Sequence, residues 1–129
     1  MTEDLYPTAT RDLARLRRTL APDAASAFHD FGAAVFADGA LSTRTKHLIA
    51  VAAAHVTQCP YCIKGHTRAA LREGNSREEV MEAIWVAAEM RAGAAYAHSV
   101  IALAEMDEPG LEFAKQRPDA ALNGEEQHA

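Results

Sequence analysis

Apolar positions recur along most of the chain at three- and four-residue spacing, and alternation at period two is almost absent, so the pattern predicts helices. Leu13, Leu16 and Leu20 share one face of a segment from Arg11 to Leu20 that Thr10 can cap. Pro22 suits the first position of a second helix reaching about Phe36, with Phe28, Phe31 and Val35 at helical spacing. After the break "ADGALS", Ser42 caps a third helix through about Thr57, carrying Leu48, Ile49, Val51 and Ala52. Cys59-Pro60 opens a fourth, which ends near Gly74. Ser76 followed by Glu79 is a capping box for a fifth. A final helix is expected from about Ala92, where Gly93 either breaks the run or only thins the packing. The pattern therefore predicts an all-α, compact bundle of about six helices.

Domain limits follow from where the periodicity stops. Residues 1–108 are expected to form a single helical domain with its core at 41–103. Residues 109–129 are polar, acidic and aperiodic, and are expected to form a mobile tail or arm. The apolar share of 49% suits a globular chain. Apolar runs on more than one face, such as "AIWVAA" and "AGAAYAHSVIALA", exceed what one small domain can bury and predict a homo-oligomer.

Charge sharpens the division. From Glu105 to Ala129 seven acidic residues face two basic ones, which accounts for the whole net charge of −5. A neutral body argues against nucleic-acid binding. The longest stretch without Asp, Glu, Lys or Arg, His47 to Ile63, is too short and too polar to span a bilayer, so no membrane association is expected. "MTEDLYPTAT" lacks a basic region followed by an apolar one, and a cytoplasmic location is expected.

The chemistry concentrates in "CPYCIKGH", Cys59 to His66. Cys-Pro-Tyr-Cys suggests a glutaredoxin, but such a motif should follow a β-strand, and here the preceding segment is helical by period. The thiol chemistry survives the change of fold. A Cys at a helix start feels unpaired N–H groups and the positive end of the dipole, which favour thiolate. Cys62 and His66 are four apart and share a helix face, where the imidazole can move protons near neutral pH. Cys59 and Cys62 are spaced for a reversible disulfide across one turn. His55, Cys59, Cys62 and His66 also supply four N or S donors, the number zinc takes, though not in its common spacing. A buried Cys pair with a surface His is the plain structural reading. His47, His55, Tyr61 and His98 are further candidates for a proton relay. His98 lies among small and apolar residues, which suggests burial, and the position of Glu89 after "IWVAA" suggests half-burial. No cofactor is called for.

The segment from "LSTRTKHLIAVAAAHVTQCPYCIKGHTRAALREGNSREEVMEAIWVAAEMRAGAAYAHS", about Leu41 to Leu103, resembles the carboxymuconolactone decarboxylase family in its alkylhydroperoxidase D-like branch. The most specific element is Cys-x-x-Cys-x-x-x-His, met by Cys59, Cys62 and His66. The resemblance implies an all-helical fold assembling into trimers or hexamers. It implies thiol-dependent reduction of hydroperoxides in antioxidant defence, with a thiol reductant such as a lipoyl protein as partner. It also implies roles: Cys62 attacks the peroxide and becomes a sulfenic acid, and Cys59 resolves it and later faces the reductant. Two positions depart from the pattern. The family's relay Glu, twelve residues before the first Cys, is His47 here, and the His often preceding the second Cys is Tyr61. Two alternatives stay open. One is a decarboxylase-like lyase on a small organic acid, for which Lys64, Arg68 and Arg44 are the candidate anchors. The other is a redox-sensing or metal-binding module without turnover.

Overall fold

A computed structural model describes residues 5–110 of the chain. Among the described residues every regular element is a helix: α1 (Arg11–Leu20), α2 (Pro22–Phe36), α3 (Thr43–Thr57), α4 (Pro60–Arg72) and α5 (Arg77–Met106). Among the described residues, those up to Ala94 form one compact unit and those from Ala95 a second. Most of the acidic segment 109–129 falls outside the described residues. No described helix is long and apolar enough to cross a membrane.

Four of the five helices start where a side chain satisfies an unpaired N–H group, and α2 starts instead at Pro22, after an Ala21 that makes no side-chain cap. Thr10 accepts from the Leu13 N–H at 3.2 Å, and Ser42 from the Thr45 N–H at 3.1 Å. Ser76 and Glu79 close a reciprocal capping box. The Glu79 N–H donates to Ser76 Oγ, and the Ser76 N–H donates to Glu79 Oε1, both at 3.0 Å. That second bond, ahead of the nearby Arg44, is what holds the Glu79 carboxyl below its ordinary range.

The expected count of about six helices becomes five, because the fifth and final segments are one helix of 30 residues. Gly93 does not break it. A single internal Gly costs only about 1 kcal/mol relative to Ala, and Ala-rich neighbours on both sides keep the ladder running. The carboxylate of Glu89 lies 3.4 Å from where a Cβ on Gly93 would be, one turn earlier on the same helix.

Two joints position the centre of the molecule. Between α2 and α3, the Asp38 carboxylate accepts from the Thr43 N–H at 2.8 Å and is held below its usual range by Thr43. The Thr43 hydroxyl donates to the Phe36 carbonyl at 2.7 Å, and Lys46 Nζ donates to the carbonyls of Val35 and Ala37. The last turn of α2 is thereby tied to the first turn of α3. Between α3 and α4, Gln58 adopts φ 57°, a left-handed conformation that terminates α3. The N–H groups of Gln58 and Cys59 both point to the Ala54 carbonyl, and the chain reverses into α4.

The core is small. Val51 of α3, Ala70 of α4 and Val80 of α5 are buried, with Leu48 and Ile84 packed on them. Asn75 is buried beside this cluster, and its Nδ2 donates to the carbonyls of Arg44 and Ala70 at 3.0 and 3.1 Å. Arg44 then reaches Glu79 at 2.8 Å, an ion pair linking α3 to the start of α5. Many large apolar side chains stay uncovered in the single chain. Phe28 is 74% exposed on α2 and Trp85 67% exposed on α5, with Val86 and Met90 beside Trp85 in sequence also exposed.

Candidate functional site

Cys59 is the N-cap of α4 and Pro60 its first helical residue. Pro has no N–H to leave unpaired at that position, and its fixed φ suits the helix start. The Cys62 N–H, an end donor of α4, is taken by Cys59 Sγ at 3.2 Å. The same turn brings the two Cα atoms to 5.3 Å, and Cys59 and Cys62 are joined as a disulfide. Cys62 is exposed and Cys59 half-buried, so the bridge is within reach of solvent.

His66 follows one turn later on α4 and is half-buried. Its Nδ1 lies 3.2 Å from Nδ1 of His47, in the first turns of α3. Both rings lie against Phe36, the last residue of α2. The Phe36 centroid is 4.7 Å from that of His47, with 13° between planes, and 5.0 Å from that of His66, with 22° between planes. Burial, and after it the charge of His47, push the His66 imidazole below its ordinary value of 6.5. His66 is therefore neutral near pH 7 and free to accept a proton.

The other sequence candidates lie apart from this cluster. His55 Nδ1 donates to the Val51 carbonyl of its own helix at 2.7 Å. Tyr61, between the two Cys, donates its hydroxyl to the Pro7 carbonyl at 2.7 Å and meets Tyr6 edge-on with centroids 6.1 Å apart. The segment at Pro7–Thr10, α1 and Tyr61 line an open groove of about 440 Å³. His98 and Glu89 are exposed, not buried and half-buried as their apolar neighbours suggested, because the stretch of α5 around them is itself uncovered in the single chain. Among the described residues no three His, Cys, Asp or Glu side chains converge as a metal set. Of the anchors considered for a lyase, Arg44 is engaged by Glu79, and Lys64 and Arg68 are exposed. A larger groove, about 740 Å³, runs between α1 and α2 along Arg17, Phe28 and His29, and includes neither thiol.

Phe36 is the residue that sequence reasoning missed. It ends a helical run, and nothing in the chain order says that two imidazoles, 11 and 30 positions later, stack on it.

The model of the carboxymuconolactone decarboxylase family matches residues 22–105. The chain belongs to that family. The match begins at the first residue of α2 and ends in the last turn of α5, so it takes in the thiols, both imidazoles and Phe36. Two relatives within reach carry no functional name. "Uncharacterized protein 4 in cox locus" of Paracoccus denitrificans is 68% identical over 82 residues, covering 64% of this chain and 74% of its own. An uncharacterized protein of Cupriavidus necator is 38% identical over 86 residues, covering 67% and 76%. Two solved structures share the fold. One, from Methanobacterium thermoautotrophicum, has a TM-score of 0.62 at 36% identity and covers 64% of this chain and 93% of its own. The other is the apo form of a carboxymuconolactone decarboxylase family protein from Legionella pneumophila, with a TM-score of 0.57 at 37% identity over 61% and 70%.

Proposed function

We propose that this family member is a thiol-dependent hydroperoxide reductase, working through the Cys59–Cys62 pair with His66 as proton acceptor. The observation that carries the reading is the disulfide at the N-terminus of α4, one turn before a half-buried neutral imidazole. In the reduced protein the Cys62 thiol gives its proton to His66, and the sulfur attacks the peroxide. The O–O bond breaks, Cys62 becomes a sulfenic acid, and the leaving alkoxide takes a proton to become the alcohol. Cys59 attacks Cys62, forms the disulfide and releases water. A dithiol reductant reopens the bridge and is itself oxidised to a disulfide, which balances the cycle at two electrons per peroxide. A lipoyl protein is a reductant of the right chemistry, and we place the reaction in the cytoplasm.

We extend the proposal to assembly. The uncovered apolar residues of α2 and α5 fit burial against further copies of the chain, as a trimer or hexamer. Light scattering at micromolar concentration checks this, and a monomer mass counts against it.

The test of function is peroxide consumption by the reduced full chain, followed with a panel of monothiol and dithiol reductants. Turnover with appearance of the Cys59–Cys62 disulfide in peptide mass spectra is the expected outcome. Consumption with both thiols still free, or none with any reductant, overturns the reading. The lyase alternative has less support, since Arg44 is already engaged by Glu79.

A further inference from the structure

Tyr61 stands between Pro60 and Cys62, inside the redox turn, and its side chain reaches back to the start of the described chain. The hydroxyl that the sequence offers as a proton relay is spent there. It donates to the Pro7 carbonyl at 2.7 Å, across 54 positions. The ring meets Tyr6 edge-on, with 6.1 Å between centroids and 85° between planes. One side chain thus grips two consecutive residues. Pro7 suits the grip, because its ring fixes φ and restricts Tyr6 before it to an extended backbone. At the other end of the segment, Thr10 caps α1 by accepting from the Leu13 N–H. Residues 5–10 are therefore strung between the redox turn and α1, all of them exposed and none of them helical. The part of the chain that matches the family begins at residue 22, so this segment and α1 lie before it.

We infer that Tyr61 is a specificity-determining residue. It clamps residues 5–10 as a strap beside the Cys59–Cys62 bridge, which then accepts a dithiol carried on a small molecule or a slender arm ahead of one set in a broad protein surface. The inference rests on the proposed thiol cycle for its reductive half. In that half a thiolate of the reductant attacks one sulfur of the bridge, a mixed disulfide forms, and the reductant's second thiol closes on the first. Two electrons pass to the protein, the reductant's two thiol hydrogens end on Cys59 and Cys62, and the reductant leaves as its own disulfide.

The selection follows from footprint. Cys62 is exposed, so a small dithiol needs only a path to sulfur. A protein needs a patch. Even a weak redox encounter buries on the order of 1,000 Å² in total, roughly 500 Å² on each side, which is a disc about 25 Å across. The Cα atoms of Tyr61 and Cys62 are neighbours, about 3.8 Å apart, so a patch centred on the bridge takes in Tyr61 and the residues it grips. The strap has to lift before such a surface can seat. It borders an open groove with Leu13, Leu16 and Arg17 of α1 rather than a packed core, so the clamp supplies much of its hold. A single hydrogen bond of this kind shifts an opening equilibrium about five-fold. A partner that needs the open form reacts in proportion to the population of that form.

Reduction of the oxidised full chain, followed without any peroxide, tests the inference. Samples are quenched with iodoacetamide, and peptide mass spectra count alkylated Cys59 and Cys62 over time. Dithiothreitol is the small dithiol and reduced thioredoxin the protein dithiol. Tyr61→Phe keeps the ring and removes the donor to Pro7. It should raise the thioredoxin rate about five-fold and leave the dithiothreitol rate within about two-fold. Tyr6→Ala combined with Tyr61→Phe loosens both contacts and should raise the thioredoxin rate further, again without moving dithiothreitol. Amide exchange of residues 5–10 should quicken in both variants, and unchanged exchange would show that Tyr61 does not hold the segment. Equal changes with the two reductants would mean that the substitution disturbed the bridge itself, and they overturn the inference. An unchanged thioredoxin rate overturns it too, as does a slower one, which would make the strap part of a docking surface. Because no peroxide is used, failure here leaves the peroxidase reading standing, and a chain that consumes no peroxide can still show the selection.

Discussion

His55 and His66 are mirror images in the sequence. One stands four residues before Cys59 and the other four residues after Cys62. The structure makes them unlike. His55 lies in the last turn of α3 and spends its Nδ1 proton on the Val51 carbonyl of its own helix. His66 lies past the first turn of α4 and faces His47 and Phe36. The end of α3 carries the negative end of a helix dipole and the start of α4 the positive end, and the thiols belong to the second. Gln58, left-handed between the two, separates a helix end that suits a cation from one that suits a thiolate. A symmetric sequence pattern thus becomes a one-sided arrangement around the disulfide.

The largest expected effect tests that asymmetry directly. His66→Ala should slow the first oxidation of the reduced thiols by about 10²–10⁴-fold near neutral pH, read by stopped-flow with hydrogen peroxide. His55→Ala should leave the rate within a few-fold. Equal losses would restore the symmetry that the sequence suggests. Next come the thiols themselves. Cys59→Ser should react once and leave a sulfenic acid on Cys62 that dimedone traps. Cys62→Ser should react slowly and trap little. The opposite result would mean that the helix end outweighs the imidazole.

A smaller effect should come from the joint. Gly at position 58 adopts positive φ without the Cβ penalty but loses more backbone entropy on folding. Gln58→Gly should therefore raise stability by about 0.5 kcal/mol in urea unfolding. A clear loss would show that the Gln side chain holds the joint by contacts of its own.

The smallest effect is the pH dependence of stability. Because the folded protein holds His66 below 6.5, the unfolded chain binds that proton more readily. The stability from a neutral His66 is fully present above 6.5 and is lost as pH falls through 6.5 toward the folded value. Asp38 and Glu79, also lowered, contribute above their ordinary values of 3.8 and 4.5, so their losses fall in a lower window. The melting temperature should drop between pH 7 and 5, and drop less in His66→Gln. An identical drop in both proteins would assign it elsewhere.

Local rules made the helices legible. Thr10, Ser42 and the Ser76/Glu79 box stand where the caps form, and Pro22 and Pro60 stand at the first helical positions. These are contacts within three or four residues, so chain order alone specifies them. The Cys-x-x-Cys-x-x-x-His spacing within one helix start is of the same kind. Gly93 was ambiguous because one glycine's cost is comparable to the ordinary variation in helix propensity, and its neighbours decide.

What only the tertiary structure decided is which partners meet across elements. His47 and His66 are 19 positions apart, and Phe36 and His66 are 30 apart, yet they form one cluster. Asn75 binds the carbonyl of Arg44, which in turn pairs with Glu79. None of these has a periodic signature, because one residue from each helix suffices and its register depends on how α2, α3, α4 and α5 are joined. The sequence by itself determined helices, caps and a pair of thiols at a helix start. The packing brought His47, His66 and Phe36 together, because a hydrogen-bond contact needs atoms about 3 Å apart, and that distance is set by folding rather than by spacing along the chain.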